Sequence, residues 1–318
     1  MNALSARLAP NWTTAAGAVE GILEFLGAPL PRYAIMGLTG HAWHFHLAER
    51  AGVAALPSGP FEQDWARAVR RYARTGLRWE RFHGDADAKT GAIDWAVERL
   101  DEGVPLVGWD FHLHEFGVVY GYDQGAGGFL VDDSLTPQVG PIAHWEAWPS
   151  AAIGRIELFA PVEASESDPL EAVIESLADA ITDLASDERA NTGTAGLERW
   201  AEALESDMEI DRSGNAYTLQ VLQAARMDGA DYLLSLRELF PQASASLAKA
   251  ERHVRDQLQT LAPLITLFPF PSGGHGNVNN PGLREAAANA LRRAAGHERN
   301  AVAAMRAALE AMGREQVE

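Results

Sequence analysis

The chain contains no cysteine among its 318 residues. This absence excludes disulfide bonds, catalytic thiolates and cysteine metal ligands, whatever the fold. The chain also lacks a hydrophobic run of about 18 residues, the length that a membrane-spanning helix needs. Its first residues lack the basic, apolar and small-residue pattern of a secretory signal peptide. We therefore expect a cytoplasmic protein.

Basic residues are scarce relative to acidic ones. The chain has 26 Lys and Arg against 44 Asp and Glu, which gives a formal net charge of −18. Such a chain offers no basic surface, so nucleic acid and anionic membranes are excluded as expected partners, whereas a cationic small molecule would be attracted. A length of 318 residues exceeds that of a typical single-core domain and predicts two domains.

The segment from Asn11 to Gly27 predicts one helix with a polar entry. Thr13 or Thr14 is suited to bond the first free N–H groups, and Gly27 is suited to end the helix. Asn11 is itself a good capping residue, and its amide is equally suited to bind a ligand carbonyl or amine. Small residues in the first turns would allow another backbone, expected to be a strand, to approach closely: Ala15, Ala16, Gly17, Ala18 and Gly21.

Helices followed by short alternating strands indicate an α+β domain over residues 1–161, with the helices packed on an antiparallel sheet. Residues 162–168 are polar and without periodicity, and we interpret them as a linker. Beyond them, helical spacing predicts a strand-free, all-α bundle over residues 169–318. Its helices are expected at about 169–186, 194–206, 215–240, 242–268 and 281–313.

Four motifs together resemble the butirosin biosynthesis protein H-like family. They are Asn11-Trp12-Thr13-Thr14, Met36-Gly37-Leu38-Thr39-Gly40-His41-Ala42, Glu115-Phe116-Gly117-Val118-Val119-Tyr120-Gly121-Tyr122-Asp123 and Phe268-Pro269-Phe270-Pro271. The resemblance implies a papain-like N-terminal domain followed by a helical region, in bacterial secondary metabolism. In the best-understood member, a cysteine thioester carries an acyl group from an acyl carrier protein to an aminoglycoside amine.

The resemblance also implies where the catalytic groups would stand. Asn11 occupies the place of the nucleophilic cysteine, before Trp12. Spacing back from Gly121 favours Glu115 at the place of the catalytic histidine, whereas residue type favours His114, and these alternatives stay open. The carboxylate that orients this residue would be Asp132 or Asp133. Asp132 and Asp133 are equally well explained as turn formers.

Further polar and aromatic residues are candidates for ligand contacts. The loop from Phe268 to Pro281 has a composition suited to binding or to docking, or it simply connects two helices. Trp side chains are suited to line a cleft for a sugar or aromatic ligand, although core packing explains most of them. The candidate ligand-binding residues are Trp12, Thr13, His41, Trp43, Trp109, Asp133, His275 and Asn277.

Histidine density gives a further hypothesis. His41, His44 and His46, with Asp110, His112, His114 and Glu115, are residue types that suit zinc or non-haem iron. No metal-binding signature accompanies them, and single hydrogen-bonded core imidazoles are the commoner explanation. We therefore expect neither a metal nor another cofactor.

The leading functional hypothesis is a catalytically altered, cysteine-less protein that binds a small amine-bearing or peptide-like metabolite in a cleft between the domains. An amide at Asn11 is not a competent nucleophile, which argues against acyl transfer. The rival is an active amide hydrolase or acyltransferase in which Glu115, His114 and Asp132 act on a water, or one that depends on a metal. The candidate catalytic positions are thus Asn11, His114, Glu115 and Asp132. An acyl carrier protein and a second copy of the chain are the expected macromolecular partners.

Overall fold

The computed structural model describes residues 2–56, 63–185, 191–271, 278 and 280–313. It is a mixed α+β structure with an antiparallel sheet and a helical C-terminal region. The chain divides into two compact units. The first comprises Met1–Ile35 and Asp64–Pro169, and the second comprises Met36–Gln63 and Leu170–Glu318. Residues 36–63, which the sequence interpretation included in the first domain, therefore group with the helical unit.

The helices that apolar spacing predicted begin and end close to their predicted positions, whereas the four-residue helix Thr136–Val139 was not predicted. In chain order they are α1 (Thr14–Phe25), α2 (Arg32–Thr39), α3 (Trp65–Tyr72), α4 (Lys89–Asp101), α5 (Thr136–Val139), α6 (Pro169–Ala185), α7 (Gly193–Glu205), α8 (Arg212–Leu239), α9 (Ser244–Leu267) and α10 (Pro281–Gly313). In the part of the chain that the structure describes, no helix is both long and apolar enough to cross a membrane.

Strands form a larger sheet in the first unit and a smaller one in the second. They are β1 (Asn2–Ala3), β2 (Ala48–Arg50), β3 (Val53–Leu56), β4 (Leu77–Asp85), β5 (Leu106–Trp109), β6 (Phe116–Asp123), β7 (Gly128–Asp132), β8 (Ile142–His144), β9 (Arg155–Ala164) and β10 (Glu209–Ile210). The larger sheet has the order β4-β9-β5-β6-β7-β8, with β1 also paired to β6. Every pairing in it is antiparallel, as expected from the sequence.

The larger sheet is buried on both faces. Val118 and Val119 are adjacent in β6, and both are fully buried, but they belong to different hydrophobic clusters. Side chains from α1 and α3 contribute to the cluster that contains Val118, and side chains from α4 contribute to the one that contains Val119. Successive residues of a strand point to opposite faces, so burial on both explains the continuous apolar run in β6.

The second unit packs its helices around small residues. A Cβ atom added to Gly37 in α2 would lie 2.2 Å from Cγ of Tyr232 in α8, and one added to Gly229 would lie 2.9 Å from the Trp43 ring. The phenol of Tyr232 is in turn hydrogen-bonded to Ser176 Oγ at 2.6 Å. Gly37, the first glycine of the Met36–Ala42 motif, thus allows α2 to pack closely against α8.

A strand-free second half was predicted, and this prediction is wrong. Strand β10 pairs in parallel with β3, with Glu209 opposite Val53, and β2 pairs with the other edge of β3. β10 has only two residues, too short for an alternating pattern to predict it. The hairpin turn between β2 and β3 was also missed, because Ala51 and Gly52 adopt positive φ angles of 52° and 84° without the usual Asn-Gly signal.

Candidate functional site

The entry to α1 is built by a segment that runs back along the helix. The amide of Ala9 donates to the carbonyl oxygen of Gly17 at 3.2 Å. A Cβ atom on Gly21 would lie 1.7 Å from the carbonyl oxygen of Arg7. The close approach of another backbone is therefore confirmed, but the neighbour is the segment preceding the helix and not a strand.

The first polar residues of this entry do not cap α1 as predicted. Thr13 is the N-cap residue, yet its side chain makes no capping hydrogen bond. Its backbone N–H donates to Asn11 Oδ1 at 2.9 Å, which makes a local turn before the helix. Asn11 and Thr13 are half-buried, whereas Trp12 is 37% exposed.

The hydroxyl of Thr14, the first residue of α1, is used in tertiary contacts. Thr14 Oγ1 donates to Glu115 Oε2 at 2.6 Å and accepts from the backbone N–H of Phe116 at 3.1 Å. These two bonds bring the beginning of β6 to the beginning of α1. Of the two alternatives from the sequence, Glu115 is the one whose side chain contacts the α1 entry through Thr14.

The His114 side chain is oriented by Asp110, which the sequence analysis grouped with it only as a possible metal ligand and not as its orienting carboxylate. Its Nδ1 lies 2.5 Å from Asp110 Oδ1, and its ring is 57% exposed. Asp110 is only 2% exposed, and its Oδ2 accepts from the backbone N–H of Ser150 at 2.8 Å. With Nδ1–H bonded to Asp110, the neutral ring has its Nε2 lone pair available as a base.

The backbone of Asp110 is held in an unusual conformation. Its φ angle is +68°, and its N–H donates to the carbonyl oxygen of Glu115 at 3.2 Å. Asp is one of the few non-glycine types that tolerate this region, so the turn and the carboxylate position are compatible. The signal that would have found this pair is the four-residue spacing between Asp110 and His114 in a turn.

Asp132 and Asp133 have other partners. Asp132 Oδ2 accepts from the backbone N–H of Leu8 at 2.9 Å, and so fixes the segment before α1. Asp133 Oδ1 accepts from the N–H groups of Leu135 and Thr136 at 2.9 Å, which is the turn-forming alternative. Asp133 Oδ2 lies 3.0 Å from His112 Nδ1. The residue that orients His114 is therefore Asp110, not Asp132 or Asp133.

Several candidate ligand-binding residues are buried. Trp109 in the first unit is 2% exposed, and His41 and Trp43 in the second unit are 3% and 0% exposed. Trp43 and Trp109 are part of the buried hydrophobic core, which favours the core-packing explanation for them, and the role of the three residues as ligand contacts stays a prediction. His275 and Asn277 lie outside the described residues. Among the predicted aromatic contacts, Trp12 remains accessible.

A group of possible metal ligands lies elsewhere than at the histidines that the sequence analysis considered. In the described ranges, the ligand atoms of His253, Asp256 and His297 all lie within 4.8 Å of one another, and no group containing His41, His44, His46, His112 or His114 meets this criterion. Burial lowers the pKa of His253 below its usual value, and His297 adds to the shift. Sequence reasoning missed this group, although His253 and Asp256 are three residues apart on a helix and therefore share a face.

Comparison of the chain with protein-family models and with curated proteins gives no match.

Proposed function

We propose that the first unit is a catalytically altered papain-like domain of the butirosin biosynthesis protein H-like kind, and that it binds a small amine-bearing or peptide-like metabolite. The proposed site lies at the entry of α1 and the start of β6. The observation that carries this proposal is the contact of Glu115 with Thr14, because a papain-like site forms where the first residue of a strand meets the beginning of a helix.

The groups at this site suit binding better than covalent catalysis. Asn11 precedes Trp12 where a papain-like enzyme has its thiolate, and a carboxamide is neither ionised nor activated by a neighbouring base. The Glu115 carboxylate accepts hydrogen bonds, and a protonated amine is a strong donor to such an oxygen. The Asn11 side chain, whose Oδ1 accepts from the N–H of Thr13, has donor and acceptor groups of the kind that bind an amide or hydroxyl beside the amine.

Isothermal titration calorimetry with kanamycin, an aminoglycoside with several amines, tests the proposal. We expect micromolar binding by the wild type and a loss of about tenfold or more in Glu115→Gln, because a charge-assisted hydrogen bond contributes about 1.5–3 kcal/mol. Glu24→Gln is the matched control, since Glu24 is an exposed carboxylate in the last turn of α1, at the end of the helix opposite to the proposed site. Equal affinity in both variants, or no binding by the wild type, would contradict the proposal.

A second candidate function is favoured by the His114–Asp110 pair. A buried carboxylate that orients an exposed imidazole is the arrangement of a general base, which would remove a proton from water during its attack on an amide or ester carbonyl. Hydrolysis of an amide or ester panel that falls by about 100-fold or more in His114→Gln would favour this candidate. Hydrolysis that is absent, or equal in His114→Gln, would eliminate it.

A further inference from the structure

Two histidines and one aspartate meet on facing helices of the second unit. His253 and Asp256 lie on α9, and His297 lies on α10. Their ligand atoms are all within 4.8 Å of one another, and each residue is partly buried. The two imidazole rings have their centroids 6.4 Å apart.

One ring nitrogen in this group has no partner within the described residues. His253 Nδ1 is buried and forms no hydrogen bond there. A buried polar atom without a partner is costly, so its presence calls for a physical explanation. A metal ion bound to Nδ1 would supply the missing partner, because an unprotonated imidazole nitrogen is a good ligand for transition metals.

The helices that carry these ligands are joined by a buried polar network. Glu298, the residue after His297, is paired with Arg226 of α8 at 2.7 Å, and both side chains are 1% exposed. Gln257, one helical turn after His253, donates to Glu298 Oε2 at 2.9 Å. This network fixes α9 against α10 next to the three ligands. It also engages the Glu298 carboxylate, which leaves the two histidines and Asp256 as the ligand set.

We propose that His253, Asp256 and His297 bind a divalent first-row transition-metal ion, with zinc as the representative. Two imidazoles and one carboxylate are a known set for zinc and for non-haem iron, with the remaining coordination positions filled by water or a small ligand. A tetrahedral ion with bonds of about 2.1 Å holds its ligands about 3.4 Å apart. Side-chain rotations that bring the ligand atoms closer by up to about 1.4 Å would give that spacing, and such shifts are within the range of ordinary rotamer motion.

Zinc titration of tag-free, chelator-treated and desalted protein tests the proposal. We expect one zinc ion per chain and a higher midpoint of thermal unfolding with zinc. Loss of a residue that only hydrogen-bonds to a metal ligand already costs about 10–100-fold in metal affinity, so His297→Gln and Asp256→Asn, which remove a ligand, should each weaken binding by about 100-fold. His83→Gln is the matched control, since His83 is an exposed histidine of β4 in the first unit, and it should bind zinc like the wild type.

Cobalt absorption spectroscopy on the wild type keeps the proposal testable if a variant fails to fold. Cobalt bound to these nitrogen and oxygen ligands at fewer than six positions should give strong visible bands, which zinc abolishes by displacement. Absence of stoichiometric zinc binding in the wild type would overturn the proposal. So would equal zinc affinity in His297→Gln, Asp256→Asn and His83→Gln, because the ion would then bind elsewhere.

Discussion

Individual side chains near the α1 entry have different hydrogen-bond partners from those that the sequence suggested. Thr14 forms a hydrogen bond with Glu115 and does not cap its helix, and Asp110 takes the place beside His114 that was expected for Asp132 or Asp133. Both differences arise because a short polar side chain can reach several backbone and side-chain partners with similar geometry. Local spacing restricts the candidates, and only the fold selects among them.

Gly37 provides a test of packing at the scale of one residue. Alanine normally favours a helix over glycine by about 0.5–1 kcal/mol. In α2, however, the added Cβ would meet the Tyr232 ring at 2.2 Å. We expect Gly37→Ala to lower the free energy of unfolding by about 1–3 kcal/mol, as overpacking does, in urea denaturation.

Gly296 in α10 is the matched control for Gly37. A Cβ atom there has no neighbour within 4 Å outside its own helix. Gly296→Ala should therefore raise the free energy of unfolding by about 0.5–1 kcal/mol. If the two variants change stability in the same direction, the packing explanation for Gly37 is wrong.

At the scale of elements, the long helices were predictable and the short strands were not. Helices α6 to α10 have repeated apolar positions over many turns, so their periodicity gave their positions to within a few residues. Strands β2, β3 and β10 have two to four residues each. β3 and β10 pair although they are more than 150 residues apart in the sequence. Such pairing depends on contacts between residues that are distant in the sequence, which the local pattern of apolar and polar residues does not show.

The candidate site shows the same division between local and distant contacts. The chain segments that carry Thr14 and Glu115 were identifiable from a helix start and a strand start. Their hydrogen bond joins residues 101 positions apart, so spacing alone left Glu115 and His114 as alternatives. The group of His253, Asp256 and His297 was missed because His297 lies close to the other two residues only when α9 and α10 pack together.

A buried ion pair between Arg226 and Glu298 joins α8 to α10, and its contribution to stability can be tested. Glu298→Leu would leave the Arg226 guanidinium buried beside Ala42 O without its carboxylate. We expect a loss of about 3–5 kcal/mol in the free energy of unfolding, measured with a chelator present. The double variant Arg226→Met with Glu298→Leu should recover most of this loss, since apolar replacement of a whole pair is often neutral.

A double variant as unstable as Glu298→Leu alone would contradict this explanation. In that case the other hydrogen bonds of Glu298, which come from Gln257 and Thr194, would account for its contribution.

For the whole molecule, the net charge of −18 should act on any cationic ligand at long range. The Debye length falls from about 30 Å at 10 mM salt to about 8 Å at 150 mM. We expect kanamycin affinity to fall over this range in the wild type and in Glu115→Gln alike. The ratio between their affinities should remain, because the Glu115 contact is short-ranged. A ratio that disappears with salt would mean that Glu115 acts only through the overall field.

The central claim is that the α1 entry and the start of β6 form a binding site without a nucleophile. A crystal structure of the protein with kanamycin tests it most directly. We predict an amine nitrogen about 2.7–3.2 Å from a Glu115 carboxylate oxygen, near Asn11 and without any covalent bond to the protein. Kanamycin bound only at other acidic surfaces, or an acyl group covalently attached at the α1 entry, would contradict the claim.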